Sequence, residues 1–330
     1  MPFPRSGSFS LDVEVVPPAG PDPEPLLAQL EAIARPEVAG FSVATNPLAQ
    51  ARMSALALCA LVQQRTGKPA TLHCTTRDHN RLSLQAQLWG ARALGIDSVL
   101  VATGDYVALG ERARTTTVRD VNVYGLVRLA REAGLQVGVV LDPGNSPRPL
   151  EAGALKPGDD EPPPDSPGSD LLPTPSLGHP AEINPAAPRQ PAAAKGPTAR
   201  DRLQVQVRRL EKKIEAGAQY VVTQPAYDEA SAHELRQATA HLPVPIVLGI
   251  LPLRSPRHAR FLHEQVAGIT VPAAVQRRLA EAADPVVEGV ALAAEMVALA
   301  RRWFAGALLM PPFGHYEVVD RILEHSEPSH

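Results

Sequence analysis

Cysteine is scarce in this chain. Only Cys59 and Cys74 occur among 330 residues, too few for a disulfide framework and in keeping with a reducing compartment. Cys59 lies inside the apolar run "MSALALCALV" and reads as a buried thiol. An excess of one charge is also missing: 32 basic against 35 acidic residues give a net charge of −3, which offers no polycationic face to nucleic acid. No apolar run reaches the ~18 uncharged residues of a membrane span. The nearest, "VVEGVALAAEMVALA" (286–300), carries Glu288 and Glu295 and reads as an amphipathic or buried helix. The opening "MPFPRSGSFSLDVEVV" has no long apolar segment and no small-residue cleavage site, so the expectation is a cytoplasmic protein without a signal peptide. A G-x-G-x-x-G turn after the first strand and a P-loop are both absent.

Proline, by contrast, is plentiful and clustered. Residues 143–197 hold 15 of the 35 prolines, mixed with Gly, Ser, Ala and acids as in "GDDEPPPDSPGSD". That composition cannot bury enough apolar surface to offset its ordering entropy, so a long disordered Pro-rich insertion is expected. On both sides of it short β-branched runs alternate with helical segments. The expected strands are 12–16, 41–44, 70–74, 98–104 and 136–141, then 220–224, 246–250 and 306–310. Helical segments such as "MSALALCALVQQRTG", "LSLQAQLWGARALG" and "VYGLVRLAREAG" each end in glycine, the residue that favours helix termination. Eight such units predict an α/β fold of the (β/α)8 TIM-barrel type, with a doubly wound open sheet as the alternative. The domain reading is one unit over 1–330, interrupted at 143–199 after strand five.

A barrel places its chemistry at the C-terminal ends of its strands. The polar residues there are Glu14, Thr45 and Asn46, His73 and Thr75, Asp105, Thr223 and Gln224, and the turn after Met310. Glu14 sits in the apolar "DVEVVPP". On an edge strand it would be an exposed residue of an alternating pattern; pointing into a barrel, it would be desolvated and its pKa raised toward that of a neutral-pH proton donor. Asp105 in "TGDY" is either a plain Gly-Asp turn or an acid facing the mouth, with Gly104 allowing close backbone approach. Gln224, fixed before Pro225, can both donate to and accept from an amide-like ligand edge.

The stretch "TLHCTTRDHN" (71–80) gathers His73, Cys74, Asp78 and His79, all metal-ligand types. Adjacent strand residues face opposite sides, however, and no second His/Cys pair completes a ligand set, so no metal site is expected. His73 and Thr75 instead share the inner face. Asp78 is expected to cap the next helix or to pair with Arg77.

The ordered motifs "VEVVPP", "FSVATNP", "LHCTTRD", "VATGD", "KKIEAGAQYVVTQPAYD", "VPIVLGILPLRS", "AGITVP" and "LMPPFGHY" resemble the methylenetetrahydrofolate reductases. The branch is the one also found fused to homocysteine S-methyltransferase domains, and the likeness covers residues 10–142 and 200–325. The resemblance implies FAD at the barrel mouth and NADH or NADPH as hydride donor. It further implies reduction of 5,10-methylenetetrahydrofolate to 5-methyltetrahydrofolate, by an oxidoreductase acting on CH-NH donors, with a functional link to methionine synthase. Carried over by position, Glu14 is the general acid and Asp105 a fixed negative charge beside flavin and pterin. Gln224 binds folate, as does His315, which stands where an arginine is expected. His73, Thr45, Thr75, Gly104, Asp105 and Lys213 are cofactor-binding. Ala44 replaces a threonine of better-known members, with Thr45 beside it, and the insertion occupies a loop that in the family helps hold the adenylate half of the flavin. Two other readings stay open: a folate-binding barrel without flavin turnover, and a pterin-dependent methyltransferase-type barrel. The partners implied are small molecules, with no nucleic acid and no membrane; a homo-oligomer is compatible with all of this.

Overall fold

The computed structural model describes residues 9–105, 116–118, 120–141, 199–266 and 268–326. Eight parallel strands close into a barrel in the order β1-β2-β3-β4-β5-β6-β7-β8. They are β1 (Ser10–Val15), β2 (Gly40–Val43), β3 (Ala70–Thr75), β4 (Ser98–Ala102), β5 (Gln136–Val140), β6 (Tyr220–Pro225), β7 (Ile246–Ile250) and β8 (Gly306–Leu309). All eight expected strands are present, and the closed ladder excludes the open sheet. The helices are α1 (Glu24–Ala32), α2 (Ala55–Thr66), α3 (Arg81–Ala93), α4 (Val123–Glu132), α5 (Ala199–Glu215), α6 (Glu229–Thr239), α7 (Pro256–Gln265), α8 (Ala273–Glu281), α9 (Pro285–Trp303) and α10 (Val318–Ser326). The run at 286–300 lies within α9. The insertion expected at 143–199 falls between β5 and α5 and, up to residue 198, lies outside the described residues.

Strand alternation sorts side chains into two cores. Leu11, Val13 and Val15 face outward and pack with residues such as Leu72, Cys74, Val99 and Val101 against the helices. The inward positions split by sector. On β4 to β8 most are apolar: Leu100, Tyr220, Val222, Val247 and Leu308 form one cluster, with Val140 and Met310 against it, and Ser98 and Gln224 are the polar exceptions. On β1 to β3 they are polar: Asp12 and Glu14, Ser42, Thr71, His73 and Thr75. At the floor the Tyr220 hydroxyl meets Ser98 Oγ at 3.1 Å. The barrel therefore opens toward its C-terminal mouth with one polar wall and one apolar wall.

Helix starts are set by short polar side chains that accept free backbone N–H groups. Ser54, Asn80, Asn122, Asp228, Ser255 and Asp284 do so for α2, α3, α4, α6, α7 and α9. Asn80, rather than Asp78, caps α3, and Asp78 pairs with Arg77.

Candidate active site

Glu14 faces Ser42 across the β1–β2 ladder and points inward, half-buried, near the end of β1. Burial first, and then the negative charge of Asp105, together push its carboxyl from an ordinary 4.5 up to about 7. Tyr316, beyond β8, closes this corner: its buried hydroxyl accepts the Val16 N–H at 3.0 Å. Burial moves that phenol up to about 12; the Val16 N–H works against the shift and the Glu14 charge adds to it.

His73 lies on the same polar wall. Its Nε2 shares a hydrogen bond with Ser42 Oγ at 2.7 Å, and burial lowers its pKa to about 4, so the ring is neutral at physiological pH. Thr45 Oγ1 donates to the His73 carbonyl at 2.5 Å and fixes the exit of β2 against β3. Cys74 points the other way into the helix layer, and burial raises its thiol to about 12. His79 belongs to the turn before α3, where its Nδ1 meets Ser83 Oγ at 3.0 Å. The four residues that looked like one cluster in the sequence thus part into three environments.

Asp105 is exposed just beyond β4, where its carboxylate accepts the Leu48 N–H at 2.7 Å. Leu48 belongs to a tight turn after β2 in which Asn46, Leu48 and Ala49 all have positive φ, a costly backbone for such residues that clusters at functional sites. Arg77, only 4 % exposed, holds the turn in place. It donates to the Asn46 carbonyl and the Asp105 carbonyl at 3.1 Å each, and its Nε and Nη2 clamp the Asp78 carboxylate at 2.5 and 2.6 Å. Burial pushes Asp78 up, but the bonds from Arg77 and Asn46 outweigh it and hold the carboxyl below its ordinary value. Gly104 sits at φ +80, where a Cβ would lie 3.1 Å from Arg77 Cβ and 3.2 Å from Thr75 Cβ. A side chain there would fill the space beside β3.

Gln224 lies one residue before the end of β6, half-buried, within a register irregularity between Val222 and Pro225. Thr223 Oγ1 accepts the Gly249 N–H at 3.0 Å, and a Cβ on Gly249 would come within 2.5 Å of the Thr223 carbonyl. The missing side chain at Gly249 leaves room for the β6 irregularity beside Gln224. Lys213 on α5 sends its Nζ to the Val140 carbonyl at 2.8 Å, at the C-terminal end of β5. His315 is drawn aside: its Nδ1 meets Glu317 Oε1 at 2.9 Å.

The fold thus brings Glu14, His73, Thr45, Thr75, Gly104, Asp105 and Gln224 to one end of the barrel. Of the residues that hold them, sequence reasoning named Thr223 at its strand end and Arg77 as a partner of Asp78, and it missed Ser42, Tyr316 and Gly249. Of these only Ser42, on the same strand face as Ala44, had a signal in strand periodicity.

The Thr75 hydroxyl tests whether a flavin suits this mouth. Thr75 is 5 % exposed and its Oγ1 has no hydrogen-bond partner among the described residues. A buried hydroxyl in that state is free to bond a ligand heteroatom. Together with the open backbone at Gly104 and the apolar opposite wall, it fits the heteroatom edge of a planar ring.

The mouth of this (β/α)8 barrel thus carries two acids, a neutral histidine and a glutamine. The chain matches the family model described as methylenetetrahydrofolate reductase over residues 3–151 and 187–309, and it belongs to that family. None of the curated proteins matches it. Among solved structures, it is similar to an uncharacterised protein from Clostridium thermocellum that binds two copies of 5-methyl-5,6,7,8-tetrahydrofolic acid. That likeness has a TM-score of 0.59 at 12 % identity and covers 97 % of this chain and 94 % of the other. A mutant tryptophan synthase alpha-subunit from the hyperthermophile Pyrococcus furiosus follows at TM-score 0.48 and 10 % identity, covering 96 % and 97 %. At 12 % identity the likeness to the Clostridium thermocellum protein is one of fold. Among the described residues, no helix is long and apolar enough to cross a membrane.

Proposed function

We propose that the chain is a flavin-dependent reductase that converts 5,10-methylenetetrahydrofolate to 5-methyltetrahydrofolate, with NADH or NADPH as hydride donor. The single observation that carries this reading is Glu14. A half-buried glutamic acid held to about pH 7 beside a second carboxylate is a proton donor available at neutral pH. Ring opening of the methylene bridge needs such a donor: the proton goes to the departing ring nitrogen, the carbon–nitrogen bond breaks, and an iminium cation forms. Asp105, held by Leu48 N–H, supplies a fixed negative charge for that cation. Gln224 reads the donor and acceptor edge of the pterin.

Bound FAD would supply the relay of hydride from nicotinamide to the folate carbon. His73, Thr45, Thr75, Gly104, Asp105 and Lys213 would hold it. The neutral His73 ring, pinned by Ser42, would bring no positive charge to that group. We read residues 1–330 as one reductase unit, with the Pro-rich stretch inserted between β5 and α5.

The test is optical. Protein saturated with FAD should bleach anaerobically on addition of NADH or NADPH and regain its colour with 5,10-methylenetetrahydrofolate. A protein that neither carries nor bleaches FAD would refute the reading, and binding of 5-methyltetrahydrofolate without bleaching would favour a folate-binding barrel instead.

A further inference from the structure

The strand that carries Glu14 is finished by a side chain from the other end of the chain. In a parallel ladder, alternate residues of a strand bond to opposite neighbours. Ser10 sends its N–H to the Ala305 carbonyl on the β8 side, and the Val15 carbonyl accepts the Ala44 N–H on the β2 side. Val16 falls in the Ser10 set, so its N–H faces β8. The pairing of β1 with β8 has stopped by then, at Val13 and Leu309. Pro17 and Pro18 follow, with no N–H to extend the ladder. Tyr316 fills the gap: its hydroxyl oxygen accepts the Val16 N–H at 3.0 Å across 300 residues of sequence.

Tyr316 reaches this position by a fixed route. After β8 the chain reverses through Phe313 and Gly314, at φ 57 and 74, and the Tyr316 carbonyl then accepts the Val319 N–H at 3.0 Å where α10 begins. The ring is 2 % exposed and packs in the main core together with Val318, Val319, Ile322 and Leu323 of α10. Glu14 and Val16 are two residues apart on one strand and share its inward face, so a hold on Val16 is a hold on the carboxyl. The two side chains also sense each other, since the Glu14 charge disfavours the Tyr316 phenolate. Asp105, from beyond β4, acts on the acid by charge; Tyr316, from beyond β8, acts on it by placement.

We propose that Tyr316 is the positioning residue for Glu14: by taking the Val16 N–H it stands in for the missing ladder acceptor, holds the end of β1 beside β8 and keeps the acid in its water-poor corner for proton transfer. This rests on the reading of Glu14 as the acid of the folate half-reaction.

Tyr316→Phe removes one oxygen and leaves the ring in its packing, so the expected loss of stability is that of a single hydrogen bond. The first readout needs neither flavin nor folate. In protein labelled with carbon-13 at the glutamate carboxyls, Glu14 is the signal missing from Glu14→Gln. Its titration midpoint, near 7 in the wild type, should fall to about 6 in Tyr316→Phe as water enters the corner. The second readout is a double-mutant cycle on FAD-loaded protein. Tyr316→Phe should slow recolouring by 5,10-methylenetetrahydrofolate about 10-fold in the wild-type background and less than about twofold in Glu14→Gln. An unmoved midpoint, equal slowing in both backgrounds, or a Tyr316→Phe chain that does not fold would make the hydroxyl a general prop and overturn the assignment. If the wild-type chain neither bleaches nor recolours FAD, the reductase reading fails, and the midpoint still decides whether Tyr316 holds Glu14.

Discussion

The charge of Asp105, just past β4, acts on Glu14 at the end of β1 and adds to the burial that disfavours the Glu14 carboxylate. Two acids from separate strands thus carry different duties. One keeps its proton near neutrality; the other is anchored by the Leu48 N–H and the Arg77 guanidinium, which holds its carbonyl.

That relationship should be visible in stability. The unfolded chain releases the Glu14 proton near 4.5 and the native chain near 7, so the native state binds more protons between those values and stability falls as pH rises across them. Above pH 7 the ionised side chain costs on the order of 2–3 kcal/mol. Glu14→Gln should therefore be more stable than the wild type at pH 8 and close to it below pH 4.5, as read by urea unfolding. Equal stability at pH 8 would mean that the carboxyl is not desolvated.

His73 works in the opposite sense. Its folded pKa is about 4 against an ordinary 6.5, so its contribution is fully present above 6.5 and is lost as pH falls toward 4. Between 4.5 and 6.5 the two groups oppose each other, and single variants are needed to separate them. His73→Gln should leave a chain whose stability declines steadily with rising pH over the Glu14 window, in the same urea series.

Gly249 should prove intolerant of a methyl group. A Cβ would meet the Thr223 carbonyl at 2.5 Å and the Gln224 carbonyl carbon at 3.1 Å, both backbone atoms. Gly249→Ala is expected to cost about 1–3 kcal/mol in stability and to displace Gln224. Titration should show weaker 5-methyltetrahydrofolate binding in Gly249→Ala, with FAD binding much less affected.

Arg77 ties three loops, so its loss should be felt at Asp105. Arg77→Met leaves the Asp78 carboxylate without its partner and is expected to destabilise by about 3–5 kcal/mol. Arg77→Lys, which keeps the charge but cannot reach Asp78, Asn46 and Asp105 at once, should fold and still lose folate reduction. Full activity in Arg77→Lys would show that the guanidinium geometry is not needed.

Much of this architecture was legible in the sequence because its signals are local. Eight β-branched runs with helices between them define a barrel, and the strand ends then point to Glu14, His73, Thr75 and Gln224. Strand periodicity also separated His73 from Cys74, which face opposite cores. What escaped was long-range. The Ser42–His73 bond, the reach of Arg77 to Asn46 and Asp105, and the Val16–Tyr316 bond join residues from different units. Nothing in one strand–helix unit announces a partner in another. The Gly249 contact is hidden for a related reason, since it depends on an irregularity in the neighbouring strand. His315 was matched to the folate by position alone, and side-chain geometry turns it to Glu317.

The most direct test of the central claim is to separate the half-reactions of Glu14→Gln by anaerobic stopped-flow on FAD-loaded protein. If Glu14 is the acid that opens the methylene bridge, bleaching by NADH or NADPH should stay within about twofold of the wild type, and recolouring by 5,10-methylenetetrahydrofolate should slow by about 10²–10⁴-fold. Equal slowing of both halves, or recolouring at the wild-type rate, would contradict that role.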